Sequence, residues 1–280
     1  LYNEDMHLFF RVALVLASLC APAETLRVMT FNVRYPNPGD GANAWSARRD
    51  LLVETIRSRQ PDVVGTQELF HEQGQFIVEK LPEYAWFGLS RRGNHEDEHM
   101  GVFYRKDRLR VVESGDFWLS VTPEKPGSIS WNMSLPRMAT WAVFEIAGSG
   151  KRFRYFNTHF AHRREDERAR MNSAKLLACR IELLDAEEAV VLTGDFNAPA
   201  GGAVHEALTR LMRDAWTEAA ERKGPEDTFH GFTGKPRPGR IDWILFRAPW
   251  KAVSAETITD HQGNVFPSDH YPVMTVFEIP

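Results

Sequence analysis

The chain is poor in cysteine, has no long apolar run and carries no surplus of positive charge. Each shortage removes a class of protein. Two of its 280 residues are cysteine, Cys20 and Cys179, too few for a small scaffold held by disulfides. No stretch reaches the ~20 apolar residues of a membrane-spanning helix, so stable membrane insertion is not expected. The formal net charge of −4 argues against a dedicated duplex-DNA binder, which needs a strongly basic face. It does not exclude nucleic acid. Basic clusters lie at 151–154, 163–170 and 235–240, and the last two adjoin motifs described below. An apolar fraction of 43% and a charged fraction of 26% are ordinary globular values. A chain of this length can rest on its core without crosslinks.

The first two dozen residues read as a secretory signal. Met6 fits a translational start, which makes residues 1–5 an upstream extension. Arg11 precedes the apolar stretch 12–19, and Ala21-Pro22-Ala23 gives an A-x-A cleavage site. Leu19 stands where a lipoprotein signal before Cys20 needs a small residue. Cleavage removes Glu4, Asp5 and Arg11, which together carry −1, and so shifts the charge from −4 to −3. The expectation is a periplasmic or secreted chain of residues 24–280, a monomer, with Cys179 as its one thiol. Cys179 falls inside a helical pattern and is expected to pack as a small apolar residue.

Strand patterns fall at 26–35, 62–67, 84–89, 100–104, 108–113, 141–146, 153–159, 189–193, 243–246, 252–257 and 273–277. Helices are expected at 46–58, with Leu52, Val53 and Ile56 inward, at 70–81 despite Gly74, at 165–186 and at 202–211. In 165–186, Ala169, Leu176, Leu177, Ile181 and Leu184 keep a 3.6 period with charges opposite. No composition break marks a domain boundary. Hairpins mixed with helices indicate an α/β (α+β) chain of two mainly antiparallel sheets packed together, helices outside.

The ends of the apolar runs carry the chemistry. In order they hold Asn32 in MTFNVRY, Glu68 in VVGTQE, His159 in FNTHF, Asp195 and Asn197 in VVLTGDFNAP, Asp242 in RIDWIL, and Asp269–His270 in PSDHYPV. Hard oxygen ligands and two imidazoles, each at a strand end, suit a Mg²⁺-assisted phosphoester hydrolase. In GDFNAP, Gly194 allows a tight bend, and Asp195 and Asn197 then share a face. A turn closed by local side-chain bonds is the plainer reading of that motif. In PSDHYPV, adjacent Asp269 and His270 point apart, so His270 needs another acid, for which Asp242 is the candidate. Glu68 is the natural Mg²⁺ carboxylate, or else an ordinary acid opening the helix near Phe70.

Together these motifs resemble the endonuclease/exonuclease/phosphatase superfamily, over about residues 26–280. The resemblance implies a four-layer αββα sandwich with its site at one edge of the two sheets, and a Mg²⁺ or Mn²⁺ cofactor. It implies that Glu68, Asn32 and Asp269 stand at the metal, Asp269 there or else orienting His270, and Asn32 also orienting the aspartate that activates water. Asp195, with Asn197 beside it, would be that aspartate. His270, paired with Asp242, would be acid/base or hydrogen-bond the scissile phosphate, and His159 would stabilise charge on phosphorus. Glu98 in EHMGVFYR would orient His159, and Arg137 in LPRMATW would contact phosphate. FYRKDR, GDFWLS, PR-x-x-TW and THF resemble a secreted bacterial branch near the deadenylase-like members. That branch often carries an acid where this chain has Ala161.

The first expectation is therefore a metal-dependent phosphodiesterase or nuclease acting on RNA or single-stranded DNA. The second is a phosphatase for small or lipid-linked phosphates, favoured by the acidic charge and export. A steep loss of affinity with salt would mark the nucleic acid. A third, a non-catalytic binding module on the same fold, would show no bound divalent ion by calorimetry.

Overall fold

The computed structural model describes residues 24–280; the expected signal segment lies outside the described residues. The strands are β1 (Glu24–Asn32), β2 (Val63–Gln67), β3 (Tyr84–Phe87), β4 (Val102–Arg105), β5 (Leu109–Trp118), β6 (Met138–Ile146), β7 (Arg152–His159), β8 (Val190–Asp195), β9 (Arg213–Asp214), β10 (Glu221–Lys223), β11 (Asp242–Arg247), β12 (Lys251–Thr257) and β13 (Val273–Ile279). The α-helices are α1 (Trp45–Arg59), α2 (His71–Lys80), α3 (Glu167–Glu182), α4 (Ala203–Thr209) and α5 (Ala215–Glu218).

Seven strands form one sheet in the order β10-β12-β13-β1-β2-β4-β3, and six form the other as β5-β6-β7-β8-β11-β9. Both are mixed. The β1–β2, β10–β12 and β7–β8 pairs are parallel, and the remaining pairs are antiparallel. Alternation along each strand sets the layers. Leu26 and Val28 of β1 enter the core between the sheets with Phe144, Tyr155 and Val191 of the other sheet. Met29 and Phe31 face the opposite way, onto Leu52, Val53 and Ile56 of α1 and Ile77 of α2. Across the second sheet, Leu192 and Trp243 pack against Ala174, Leu177 and Ile181 of α3 and Val204 and Leu208 of α4. The result is the expected four-layer sandwich.

The inward rows change character along their length. In β1 the row runs Leu26, Val28, Thr30, Asn32; in β2, Val63, Gly65, Gln67; in β7, Phe153, Tyr155, Asn157, His159; in β8, Val191, Thr193, Asp195; in β11, Phe246, Ile244, Asp242. Each starts apolar and ends polar. The intermediate members form a buried network: Gln67 Nε2 donates to Asn157 Oδ1 at 2.7 Å, Thr193 Oγ1 to the same oxygen at 3.2 Å, and Asn157 Nδ2 to Thr66 O at 2.7 Å. Tyr155 OH and Thr193 Oγ1 are 2.7 Å apart. Site residues are thus the last members of rows anchored in the core.

Several local expectations change. The third helix stops at Glu182, and the strand from Leu109 continues to Trp118. The short elements β9, α5 and β10 have no clear periodic signal. Cys179 is exposed, not packed, because it lies four residues from exposed Lys175 on the charged face of α3. Helix α1 begins at Trp45 with no side-chain cap from Ser46. Gly74 sits inside α2 because a Cβ there would stand 2.5 Å from the Trp86 ring. Gly194 is not at a bend. It lies within β8, where a Cβ would stand 2.5 Å from Thr158 O of the neighbouring strand.

Candidate active site

Strand register brings the acids and imidazoles together. His159 and Asp242 each lie beside Asp195 on the strands flanking β8. In the other sheet Asn32 lies beside Gln67, immediately before Glu68. The β1–α1 loop and the segment before β13 are joined by Arg48, which is fully buried. Its guanidinium donates to Val33 O and Pro267 O, both at 2.8 Å, and to Arg34 O at 2.7 Å. Ser268 Oγ donates to Asn32 O at 2.6 Å. These bonds fix Asp269 and His270 against the end of β1.

Asn32 is the hub. Its Nδ2 donates to Asp195 Oδ2 at 3.0 Å and to Glu68 Oε1 at 3.2 Å, while its Oδ1 accepts from Arg34 N at 3.0 Å. Its amide nitrogen links the two acids, as expected of a residue that orients Asp195, and its oxygen is braced by backbone. Glu68 Oε2 accepts from Tyr35 N at 3.2 Å, so this carboxylate turns into the cleft and does not serve the start of α2. Glu68 itself holds φ of 57°, a left-handed conformation that costs a non-glycine residue ~1–3 kcal/mol and clusters at functional sites. Asn197 is similar at φ 48°. Its N–H donates to Asp195 Oδ1 at 2.9 Å, so the local turn replaces the shared extended face expected for Asp195 and Asn197. Both still line the cleft.

The two histidines are driven apart electrostatically. His270 Nδ1 lies 2.9 Å from Asp242 Oδ2, and its Nε2 lies 3.8 Å from Asp195 Oδ2. Burial opposes its charge, but Asp242 first and then Asp195 outweigh burial and raise it to about 10. His159 Nε2 lies 3.5 Å from Asp195 Oδ2. Burial, then the Arg137 charge, pushes His159 well below its ordinary value and keeps it neutral. Burial, then the charge of Asp242, raises Asp195 to about 7.

The cleft around these groups has a volume of about 660 Å³. Glu98 and Arg137 line it, yet the expected Glu98–His159 contact is corrected. Glu98 Oε2 accepts from Arg91 Nη1 at 2.8 Å, and His159 Nδ1 is buried without a partner among the described residues. The position of Glu98 before β4 could not reveal Arg91, seven residues earlier in a loop. Arg137 Nη2 lies 3.0 Å from His162 Nδ1, and its Nη1 is buried with no partner among the described residues. Sequence reasoning passed over Arg91, His162 and Arg34. The signal for Arg34 was its place two residues beyond Asn32 in FNVRY.

The donor set fits a hard divalent cation. Glu68 and Asp269 present carboxylates to one place, where Arg34 lies 3.9 Å from the first and 3.8 Å from the second. Burial, then the charge of Glu68, raises Asp269 against the lowering influence of His270 and Arg34. Asp195, Asp242 and His270 also lie close enough to share an ion. There, however, the His270 imidazolium already stands between the two acids.

The fold and site define a class: a two-sheet sandwich carrying buried acids, an amide hub and two oppositely poised imidazoles at one edge. The chain matches the endonuclease/exonuclease/phosphatase family over residues 29–270 and belongs to it, a family of phosphoester hydrolases. Among solved structures, a family member from Bacteroides vulgatus is 36% identical, with a TM-score of 0.86, covering 92% of this chain and 100% of its own. A mannosyl-6-phosphatase from Bacteroides thetaiotaomicron is 31% identical, with a TM-score of 0.86, covering 91% of this chain and 100% of its own. Nocturnin from Xenopus laevis is 26% identical over 89% of this chain. This chain spans 70% of that protein, 63% of mouse nocturnin and 59% of a related mimivirus protein.

Proposed function

We propose that the protein is an exported, divalent-metal-dependent phosphatase that hydrolyses a phosphomonoester of about sugar-phosphate size. The observation that carries this reading is Arg137. Its guanidinium is buried at the cleft and one nitrogen lacks a hydrogen-bond partner among the described residues; burial lowers its pKa against the opposing charge of Glu98, which is itself bonded to Arg91. A buried cation with an unfilled donor is costly, and a phosphate oxygen would fill it with a charge-assisted bond. Arg34, Arg91 and His162 line the same cleft, which suits the second charge of a terminal phosphate. Tyr35, Phe70, Leu135 and Phe229 give it apolar walls. A volume of about 660 Å³ falls within the range of small-molecule sites. The likeness to a mannosyl-6-phosphatase supports the monoester reading over the phosphodiesterase expected first.

Water attacks phosphorus in line with the leaving oxygen. Asp195, raised to about 7, takes the proton of that water near neutral pH. Asn32 and the Asn197 N–H hold the carboxylate in place. As the P–O bond of the phosphoryl group breaks, the His270 imidazolium gives its Nε2 proton to the leaving oxygen, which departs as the alcohol. Neutral His159 donates one N–H to the phosphoryl group. Mg²⁺ or Mn²⁺ held by Glu68 and Asp269 would supply Lewis-acid neutralisation of phosphate charge.

The test is phosphate release from mannose 6-phosphate and other hexose 6-phosphates, beside cleavage of bis-nitrophenyl phosphate and a short single-stranded RNA. Each is run with Mg²⁺, with Mn²⁺ and with chelator. Metal-dependent release from a sugar phosphate, with KM raised in Arg137→Ala, is the expected result. Turnover of the diester or RNA alone would return the protein to the nuclease reading. Turnover of none, with no divalent ion bound, would favour the binding module.

A further inference from the structure

A second cluster of histidines lies outside the phosphoester cleft. His71 opens α2, His95 sits in the loop between β3 and β4, and His99 lies just before β4. One ring nitrogen from each lies within 4.8 Å of the other two. We propose that His71, His95 and His99 form a second metal site, selective for Zn²⁺ or a neighbouring late transition-metal ion.

The geometry of each ring supports this. His99 is fully buried, and its Nδ1 lies 3.0 Å from Leu69 O. A carbonyl can only accept, so Nδ1 carries the proton and Nε2 presents its lone pair. A histidine oriented by a backbone carbonyl in this way is the usual second-layer support of a metal ligand. His99 Nε2 faces His95 Nδ1 at 3.0 Å. Two nitrogens on a tetrahedral zinc at ~2.0–2.1 Å stand about 3.3 Å apart, so the pair needs to open by only a few tenths of an ångström. Gln75 Nε2, an amide nitrogen that can only donate, lies 3.2 Å from His71 Nε2, so Nε2 carries that ring's lone pair and an ion would take the place of the amide N–H.

The site is open to an ion. A cavity of about 400 Å³ is lined by His71, Gln75, Trp86, His95 and Asp116, and buried His99 meets it through its contact with His95. Three imidazoles leave one tetrahedral position for water or an outside ligand. Imidazole donors suit zinc, copper, nickel and cobalt and discriminate against Mg²⁺ and Ca²⁺, which take oxygen. The two clefts share no lining residue. They are nevertheless mechanically joined, since His71 follows cleft residue Phe70 and His99 follows cleft residue Glu98. The loop that carries His95 also carries Arg91. An ion bound here clamps three segments behind one wall of the phosphoester cleft.

The experiment uses tag-free protein stripped by chelator and titrated calorimetrically with Zn²⁺ in excess Mg²⁺. The titration is repeated on Glu68→Gln, so that binding in the phosphoester cleft is removed from the count. One Zn²⁺ per chain is expected in both. His95→Ala removes an exposed loop side chain, and His71→Ala a partly exposed one. Each should weaken binding by more than the ~100-fold that loss of a supporting partner brings. Co²⁺ in place of Zn²⁺ should give visible absorption in the wild type and none in His95→Ala. Absence of binding in the wild type would overturn the proposal. So would binding that survives both histidine variants, or binding lost in Glu68→Gln but kept in His95→Ala.

Discussion

Replacing Gly65 with alanine tests how rigidly the two sheets approach each other behind the site. A Cβ at this position would stand 2.3 Å from Thr193 Oγ1 and 2.5 Å from both Asn157 Oδ1 and Tyr155 OH. Ordinary contact begins near 3.4 Å, so three polar atoms must each retreat by about 1 Å in a close-packed interior. None is the end of a flexible chain. Tyr155 OH and Thr193 hold each other at 2.7 Å, and Asn157 is held by Gln67. Overpacking of this kind costs ~1–3 kcal/mol. Breaking one buried hydrogen bond without replacement adds ~1–3 kcal/mol. The expected loss is therefore about 2–6 kcal/mol, a large share of the ~5–15 kcal/mol that holds a typical domain. Urea unfolding followed by tryptophan fluorescence measures it as a lower midpoint at unchanged slope. Activity per folded molecule should fall as well, because Gln67 directly precedes Glu68. A Gly65→Ala protein that unfolds within about 1 kcal/mol of the wild type would refute the reasoning.

Asp242→Asn removes the largest contribution raising His270, so kcat should fall by ~10²–10⁴. His270 must be protonated to act, so the alkaline limb of the pH profile, set near 10 by this pair, should move to lower pH. Arg240 Nη2 donates to buried Asp214 Oδ2 at 2.6 Å, and His205 Nε2 lies 2.8 Å from the same oxygen. Arg240→Met breaks a buried pair and should cost ~3–5 kcal/mol in urea unfolding. Burial alone would raise the Asp214 carboxyl, but His205 and Arg240 outweigh burial and hold it below its ordinary value. Its contribution to stability is thus present above the unfolded pKa of ~3.9 and lost as pH falls through the lower folded value. Asp214→Asn should flatten that acid limb, read by thermal unfolding from pH 5 down to about 2. Glu68→Gln should leave the metal-free melting temperature near wild type while abolishing the stabilisation by Mg²⁺, which for an intact site is ~2.7 kcal/mol at a hundredfold excess over Kd.

The layers were legible because alternation in the strands and the 3.6 period in α3 are strong one-dimensional signals. The strand-end acids and imidazoles were legible for a related reason: each terminates an apolar run, and the folded rows of β1, β7, β8 and β11 end on Asn32, His159, Asp195 and Asp242. The pairing of His270 with Asp242 followed from the opposite directions of adjacent side chains. What was not legible depended on contacts across the chain. Glu98 was given to His159 because position before a strand says nothing of a loop arginine that reaches it first. Gly194 was read as a bend because a glycine needed for a close neighbour looks, in sequence, like one needed for a turn. Cys179 was misjudged because a small residue carries little information about which side of a helix it occupies.

The pairing of β1 with β13 has a consequence for how the enzyme comes into being. The first described strand lies between β2 and the last, and Ser268 bonds Asn32 across 236 positions of sequence. Contacts this distant are slow to form. During synthesis the segment carrying Asp269 and His270 emerges after every other part of the site, and β1 must wait for β13 as its neighbour. A growing or truncated chain can fold its hairpins and helices, yet it has neither a completed central sheet nor a charged histidine opposite Asp195. The topology makes an assembled site a report on the integrity of residues 24–280, so a fragment that ends before β13 holds an open sheet and only part of the site.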